Sequence, residues 1–84
     1  MIVLDGEDFK SQEEFYRIMN ETFHFENEVS NLDGLFESLV EVREKIRVKN
    51  YKRAYDQLGE YGRMIMIVFV SAAFTLDTDV DLIC

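Results

Sequence analysis

Apolar positions along this chain form short runs, alternations and helical spacings, and each pattern predicts an element. Met1–Leu4 is an apolar run closed by the turn signal Asp5-Gly6; its Ile and Val content predicts a buried strand. Ser11 precedes Glu14 by three residues, a capping-box spacing. Phe15, Ile18, Met19 and Thr22 follow at helical intervals, predicting a helix from Ser11 to about Phe23. Residues 24–30 (HFENEVS) break the pattern and read as a loop. Asn31 then caps a second helix whose apolar stripe is Leu32, Leu35, Phe36, Leu39 and Val42. Lys45–Tyr51 alternates, with Ile46 and Val48 on one side and Arg47 and Lys49 on the other, as a half-buried strand does. Lys52–Leu58 reads as a short helix stopped by Gly59. In Met64–Leu76 the branched residues favour a strand locally, but the length of the run favours a helix, which is the reading adopted. Asp79–Cys84 alternates as a final strand.

The order strand, helix, helix, strand, helix, helix, strand predicts an α/β fold. Strands joined by helical crossovers form a parallel sheet, here of three strands flanked by about four helices. The charges on the second strand suggest that it lies at a sheet edge, where outward lysines and arginines discourage pairing with other chains. The chain has 84 residues, enough for one domain spanning 1–84. A domain of this size buries a modest core, and its single cysteine, Cys84, leaves no internal disulfide to help. That cysteine usage points to a reducing, cytoplasmic setting. Met1–Leu4 is also too short an apolar start for a signal peptide.

Charge narrows the partners. The net charge is −8, which argues against a general nucleic-acid binder and against an anionic membrane surface, and allows a cationic partner. The charge is uneven: residues 1–42 carry eleven acids against Lys10 and Arg17, while residues 43–63 carry seven bases against three acids. The longest apolar run is too short to cross a bilayer, which takes about 20 residues.

The second helix carries the most suggestive side chains. Asp33, Glu37 and Glu41 recur at intervals of four, with Glu44 beyond them, on the side away from the Leu32, Leu35 and Leu39 stripe. Two readings stand at this point: a solvated face of an acidic protein, or a carboxylate ridge that receives arginines and lysines of a partner. Phe36 falls at the margin between the ridge and the core stripe. Asp77, Asp79 and Asp81 lack the glycine and later glutamate of a calcium loop and read as charges along a strand. His24 is the only histidine, so no zinc set can be assembled. No nucleophile elbow or phosphate-binding glycine loop is present. Neither catalysis nor a metal or other cofactor is expected. The bases and tyrosines of Arg43–Tyr55 read as a solvated strand and its flank rather than as a contact for nucleic acid.

Leu4-Asp5-Gly6-Glu7, the helix start Ser11–Phe15 (SQEEF) and above all Asn31–Leu39 (NLDGLFESL) resemble the barstar family, small intracellular inhibitors of secreted bacterial ribonucleases. Val68-Phe69 and Asp79–Cys84 suit the family's last helix and strand. The resemblance implies a three-stranded parallel sheet with four helices. It also implies a loop and second helix that plug a ribonuclease active site, with acids standing in for RNA phosphates. Asp33 takes the place of the family's first interfacial aspartate and Glu37 that of its second. Phe36 replaces a common tryptophan, and Asn31 and Leu32 match the helix start. A later acidic contact falls at Ser71. The tyrosine pair and glycine that usually precede the helix are replaced by Asn27-Glu28-Val29-Ser30, where Glu28 offers an acid and Val29 an apolar contact. The expected role is an inhibitor or immunity protein, a monomer open to weak self-association, whose partner is a cationic ribonuclease or toxin nuclease. The alternative is a structural module that self-associates through the apolar Met64–Val70 stretch and inhibits no nuclease.

Overall fold

The computed structural model describes all residues, Met1–Cys84, and contains three parallel strands and four helices. In chain order these are β1 (Ile2–Asp5), α1 (Gln12–Phe23), α2 (Leu32–Ser38), β2 (Ile46–Lys49), α3 (Tyr51–Leu58), α4 (Glu60–Thr75) and β3 (Val80–Leu82), with 3-10 turns at Gly6–Asp8 and Leu39–Glu41. The α/β class and the element order are those the sequence predicts. The apolar run is helical, and α4 begins at Glu60, four residues ahead of it. No helix is long and apolar enough to cross a membrane.

The strand order is β1-β2-β3, so the second strand is central and not the edge that its charges suggested. Register explains why charge is tolerated there. Val3, Arg47 and Asp81 form one cross-strand row, and Asp5 and Lys49 another. Asp81 pairs with Lys45 at 3.3 Å and with Arg47 at 3.4 Å, and Lys49 lies 3.8 Å from Asp5. These rows lie on a sheet face that no helix covers, where Val3 is 49% exposed. Leu4, Ile46 and Val48 point the other way and are buried under the helices. Alternation in sequence marks a strand with one wet face but does not say whether that strand is central or outermost.

The core beneath the helices is built from Phe9, Phe15, Met19, Leu35, Leu39, Ile65 and Phe69, all fully buried. Phe9 and Phe15 meet edge to face, their ring centroids 4.8 Å apart. Gly59 turns the chain between α3 and α4 at φ 60°, a conformation open to glycine at little cost. Gly62 lets the two helices touch: a Cβ there would sit 2.2 Å from the Ala54 carbonyl oxygen.

The second helix is shorter than the spacing of its acids suggests. It ends at Ser38, tightens into the 3-10 turn, and Val42 is already extended at ψ 123° on the way to β2. The Leu39 carbonyl accepts from the Val42 N–H at 3.1 Å and from the buried Thr78 hydroxyl at 3.4 Å, and so is satisfied without continuing the helix. Glu41 and Glu44 are therefore not part of one helical ridge with Asp33 and Glu37. The Glu41 carboxylate accepts from the Glu26 backbone N–H, and Glu44 pairs with the amino group of Met1 at 3.1 Å.

Candidate partner-binding face

The Val29 end of the loop before α2 is held by one side chain of α1. Asn20 donates from Nδ2 to the Tyr16 carbonyl at 2.9 Å and to the Val29 carbonyl at 2.8 Å, and its Oδ1 accepts from the Val29 N–H at 2.8 Å. Both backbone groups of Val29 are thereby satisfied without secondary structure. The clamp seats the Val29 side chain in the core, 3% exposed, which corrects its assignment as an apolar contact for a partner. The same apolar character that suggested a contact makes it an anchor for the loop.

Two residues later the chain enters α2 through Asn31, which is extended at φ −152° and accepts from the Gly34 N–H at 2.7 Å. The side chain assigned to a partner thus works as an N-cap, satisfying a donor that the first helical turn leaves open. The cap fixes the rotation of the helix about its axis. Leu35 and Leu39 point into the core, Leu32 and Phe36 are half-buried beside it, and Asp33 and Glu37 are exposed.

Four of these residues, Leu32, Asp33, Phe36 and Glu37, form one wall of a groove of about 410 Å³. Ile67, Val68 and Ser71 of α4 form the other. The groove is open and mostly apolar, with its two carboxylates on a single side. Ser71, matched by resemblance to a third contact, is brought to the same groove. Glu28 is not: it lines a separate cleft against α1 with Glu13, Arg17 and Glu21.

Electrostatically, Asp33 and Glu37 are unspent. The molecule's cations pair elsewhere or not at all: Arg17 with Glu14 and Glu21, Arg53 with Glu7 and Asp56, and the β2 bases with Asp5 and Asp81. No ion pair or side-chain hydrogen bond within the chain engages the carboxylate of Asp33, Glu37 or Glu28. Two acids with internal partners, Asp5 and Asp81, show it in their titration. The Asn50 side chain, then the Glu7 N–H and Lys49, hold the Asp5 carboxyl below its ordinary range against the opposing effect of burial. Lys45, seconded by Arg47, does the same for Asp81.

Asp81 is thus committed to the sheet, while Asp77 and Asp79 stand exposed on the turn before it. No group of three or more His, Cys, Asp and Glu side chains gathers as a metal site. What the α2–α4 groove can do chemically is accept charge-assisted hydrogen bonds from guanidinium or ammonium groups while its apolar wall covers a side chain. Sequence reasoning reached Ser71 by resemblance but missed Ile67 and Val68 beside it, because a wholly apolar run shows no period from which to tell its outward side. No protein-family model matches the chain, and no curated protein sequence matches it.

Proposed function

We propose that the chain is a barstar-like inhibitor, an immunity protein that binds a cationic ribonuclease or toxin nuclease inside the cell and occludes its active site. It performs no catalysis of its own. The observation that carries this reading is the pair Asp33 and Glu37, exposed on one wall of the α2–α4 groove with no cation of this chain to neutralise them.

A ribonuclease active site holds a phosphodiester with cationic side chains. Carboxylates presented one helical turn apart offer such cations the same acceptors. Two like charges at this spacing weaken an isolated helix by about 0.2–0.5 kcal/mol, a cost that a cationic partner reverses. The net charge of −8 draws a basic enzyme in from a distance and the groove orients it. Phe36 and Leu32 supply the apolar part of the contact, since Val29 is committed to the core. Glu28, in its separate cleft, meets only the rim of a partner seated on α2.

The test is a ribonuclease assay on fluorogenic RNA with a panel of small basic bacterial ribonucleases and toxin nuclease domains. The expected result is stoichiometric inhibition of at least one, competitive with RNA and weakened by salt. Undiminished hydrolysis across the panel, at inhibitor concentrations far above that of enzyme, refutes the reading.

A further inference from the structure

α4 has two very different sides. Ile65, Met66, Phe69 and Ala72 are buried. On the opposite side Ile67 is 54% exposed, Val70 41% and Phe74 83%, and Met64 is exposed at its margin. Arg63 belongs to the same outward stripe and lines a groove with Ile67 and Val70. An apolar stripe of this kind, continuous along a 16-residue helix in so small a molecule, is unusual for a surface in contact only with water.

The charges at its two ends say what covers it. Arg63 lies in the first turns of α4, at the positive end of the helix dipole. Asp77 follows its last turn, at the negative end, and that turn contains no base. Arg63 and Asp77 are each on the wrong end of this helix, whereas Glu60, one turn before Arg63, is on the favourable end. Neither Arg63 nor Asp77 has an ion-pair partner within the chain, although other acids and bases of the molecule do. A second α4 laid antiparallel reverses both faults: Arg63 meets the negative end of the opposite helix and Asp77 the positive end. A parallel arrangement would instead bring like charges together at both ends.

We propose that the outward stripe of α4 is the docking surface for a second copy of this chain, the helices antiparallel, with Arg63 of each copy against Asp77 of the other and Ile67, Val70 and Phe74 between them. The helix is about 24 Å long. One helix pair covers less than the roughly 1,200–2,000 Å² of a standard interface, so the dimer is weak and reversible. Ile67 and Ser71 also line the groove of Asp33 and Glu37. A consequence that rests on the proposed function is that the docked copy and a nuclease exclude one another, each weakening the other by the same factor.

The experiment is sedimentation equilibrium of the full chain from micromolar to millimolar concentration, with folding of each variant checked by circular dichroism. The mass is expected to rise from 9.9 kDa towards that of a dimer. Phe74→Ser raises the dimer dissociation constant roughly tenfold. Arg63→Glu and Asp77→Lys each weaken self-association, and an equal mixture of the two variants restores it, because both ends then carry opposite charges. Asp77 has φ 57°, which lysine tolerates poorly. Should that variant not fold, Phe74→Ser and Arg63→Glu, both on the solvent side, decide the matter alone. A constant mass of 9.9 kDa to millimolar concentration overturns the proposal. So does a Phe74→Ser chain that dimerises as tightly as the unaltered one, or a mixture of folded charge variants no tighter than either alone. The two readings fail separately: a chain that inhibits a nuclease yet never dimerises overturns this proposal only. One that dimerises through α4 and inhibits no nuclease supports it and refutes the proposed function.

Discussion

Replacing Asn20 tests whether the Val29 end of the loop before α2 is held by a single side chain. Asn20→Ala removes three hydrogen bonds of 2.8–2.9 Å and leaves both backbone groups of Val29 without partners. At about 0.5–1.5 kcal/mol net for each bond, with desolvated groups left behind, the loss is about 2–4 kcal/mol. A domain of this size has roughly 5–10 kcal/mol in total, so the thermal midpoint should fall by about 10–30 °C. Urea unfolding followed by circular dichroism measures the loss, and hydrogen exchange at the Val29 amide locates it. Asn20→Asp refines the test: the new carboxylate still accepts from the Val29 N–H but faces the Tyr16 and Val29 carbonyl oxygens. That environment raises its folded pKa above the unfolded value of about 3.9. The variant's stability is then fully present below the unfolded value and is lost as pH rises through the folded one. A loss below about 0.5 kcal/mol in Asn20→Ala, less than one such bond, would refute the clamp. So would a Val29 amide as well protected as before.

Other expectations follow from neighbouring contacts. Gly62→Ala forces a methyl to 2.2 Å from the Ala54 carbonyl oxygen, a backbone atom, and should destabilise the protein by at least about 1–3 kcal/mol in urea. Gly34→Ala, whose Cβ would come no nearer than 3.3 Å to the Asn31 side chain, sets that contact against a gain in helix propensity and should change stability by less than about 1 kcal/mol. Asn31→Ala removes the α2 cap at a cost of about 1 kcal/mol and speeds exchange of the Gly34 amide. The carboxyls of Asp5 and Asp81 titrate below their ordinary range in the folded chain. Their contribution is present above the unfolded aspartate value of about 3.9 and is lost as pH falls through their lower folded values. The thermal midpoint should therefore drop in that acid window, and less so in Asp81→Asn.

Much of this architecture was legible because each element carries its own period and its own stop signal. Ser11 and Asn31 cap the helices they were assigned to, their side chains accepting from Glu14 and Gly34. Gly59 ends α3 as its position suggests. What escaped the sequence was tertiary. The charges of β2 marked an open sheet face, and only its pairing with both β1 and β3 makes the strand central. The acids at Glu41 and Glu44 continue a helical spacing in sequence, but the chain leaves the helix before reaching them. Val29 sits in a polar loop, and nothing local reveals that Asn20, nine residues earlier, holds it in the core. Of the candidate site, Asp33, Glu37, Phe36 and Leu32 are brought together with Ser71, while Glu28 stands apart.

In the proposed complex particular carboxylates, and not the overall negative charge, receive the cations of a nuclease. The most direct measurement is the dissociation constant of a complex with an inhibited ribonuclease for Glu37→Gln, Asp33→Asn and the control Asp8→Asn. All three changes remove one charge, but Asp8 lies outside the α2–α4 groove. Glu37→Gln is expected to leave a desolvated partner cation unpaired, costing about 2–5 kcal/mol, or roughly thirtyfold or more in Kd, while Asp8→Asn leaves Kd within about twofold. Equal, small losses in all three variants would show that charge alone draws the enzyme in, and would refute the role proposed for Asp33 and Glu37.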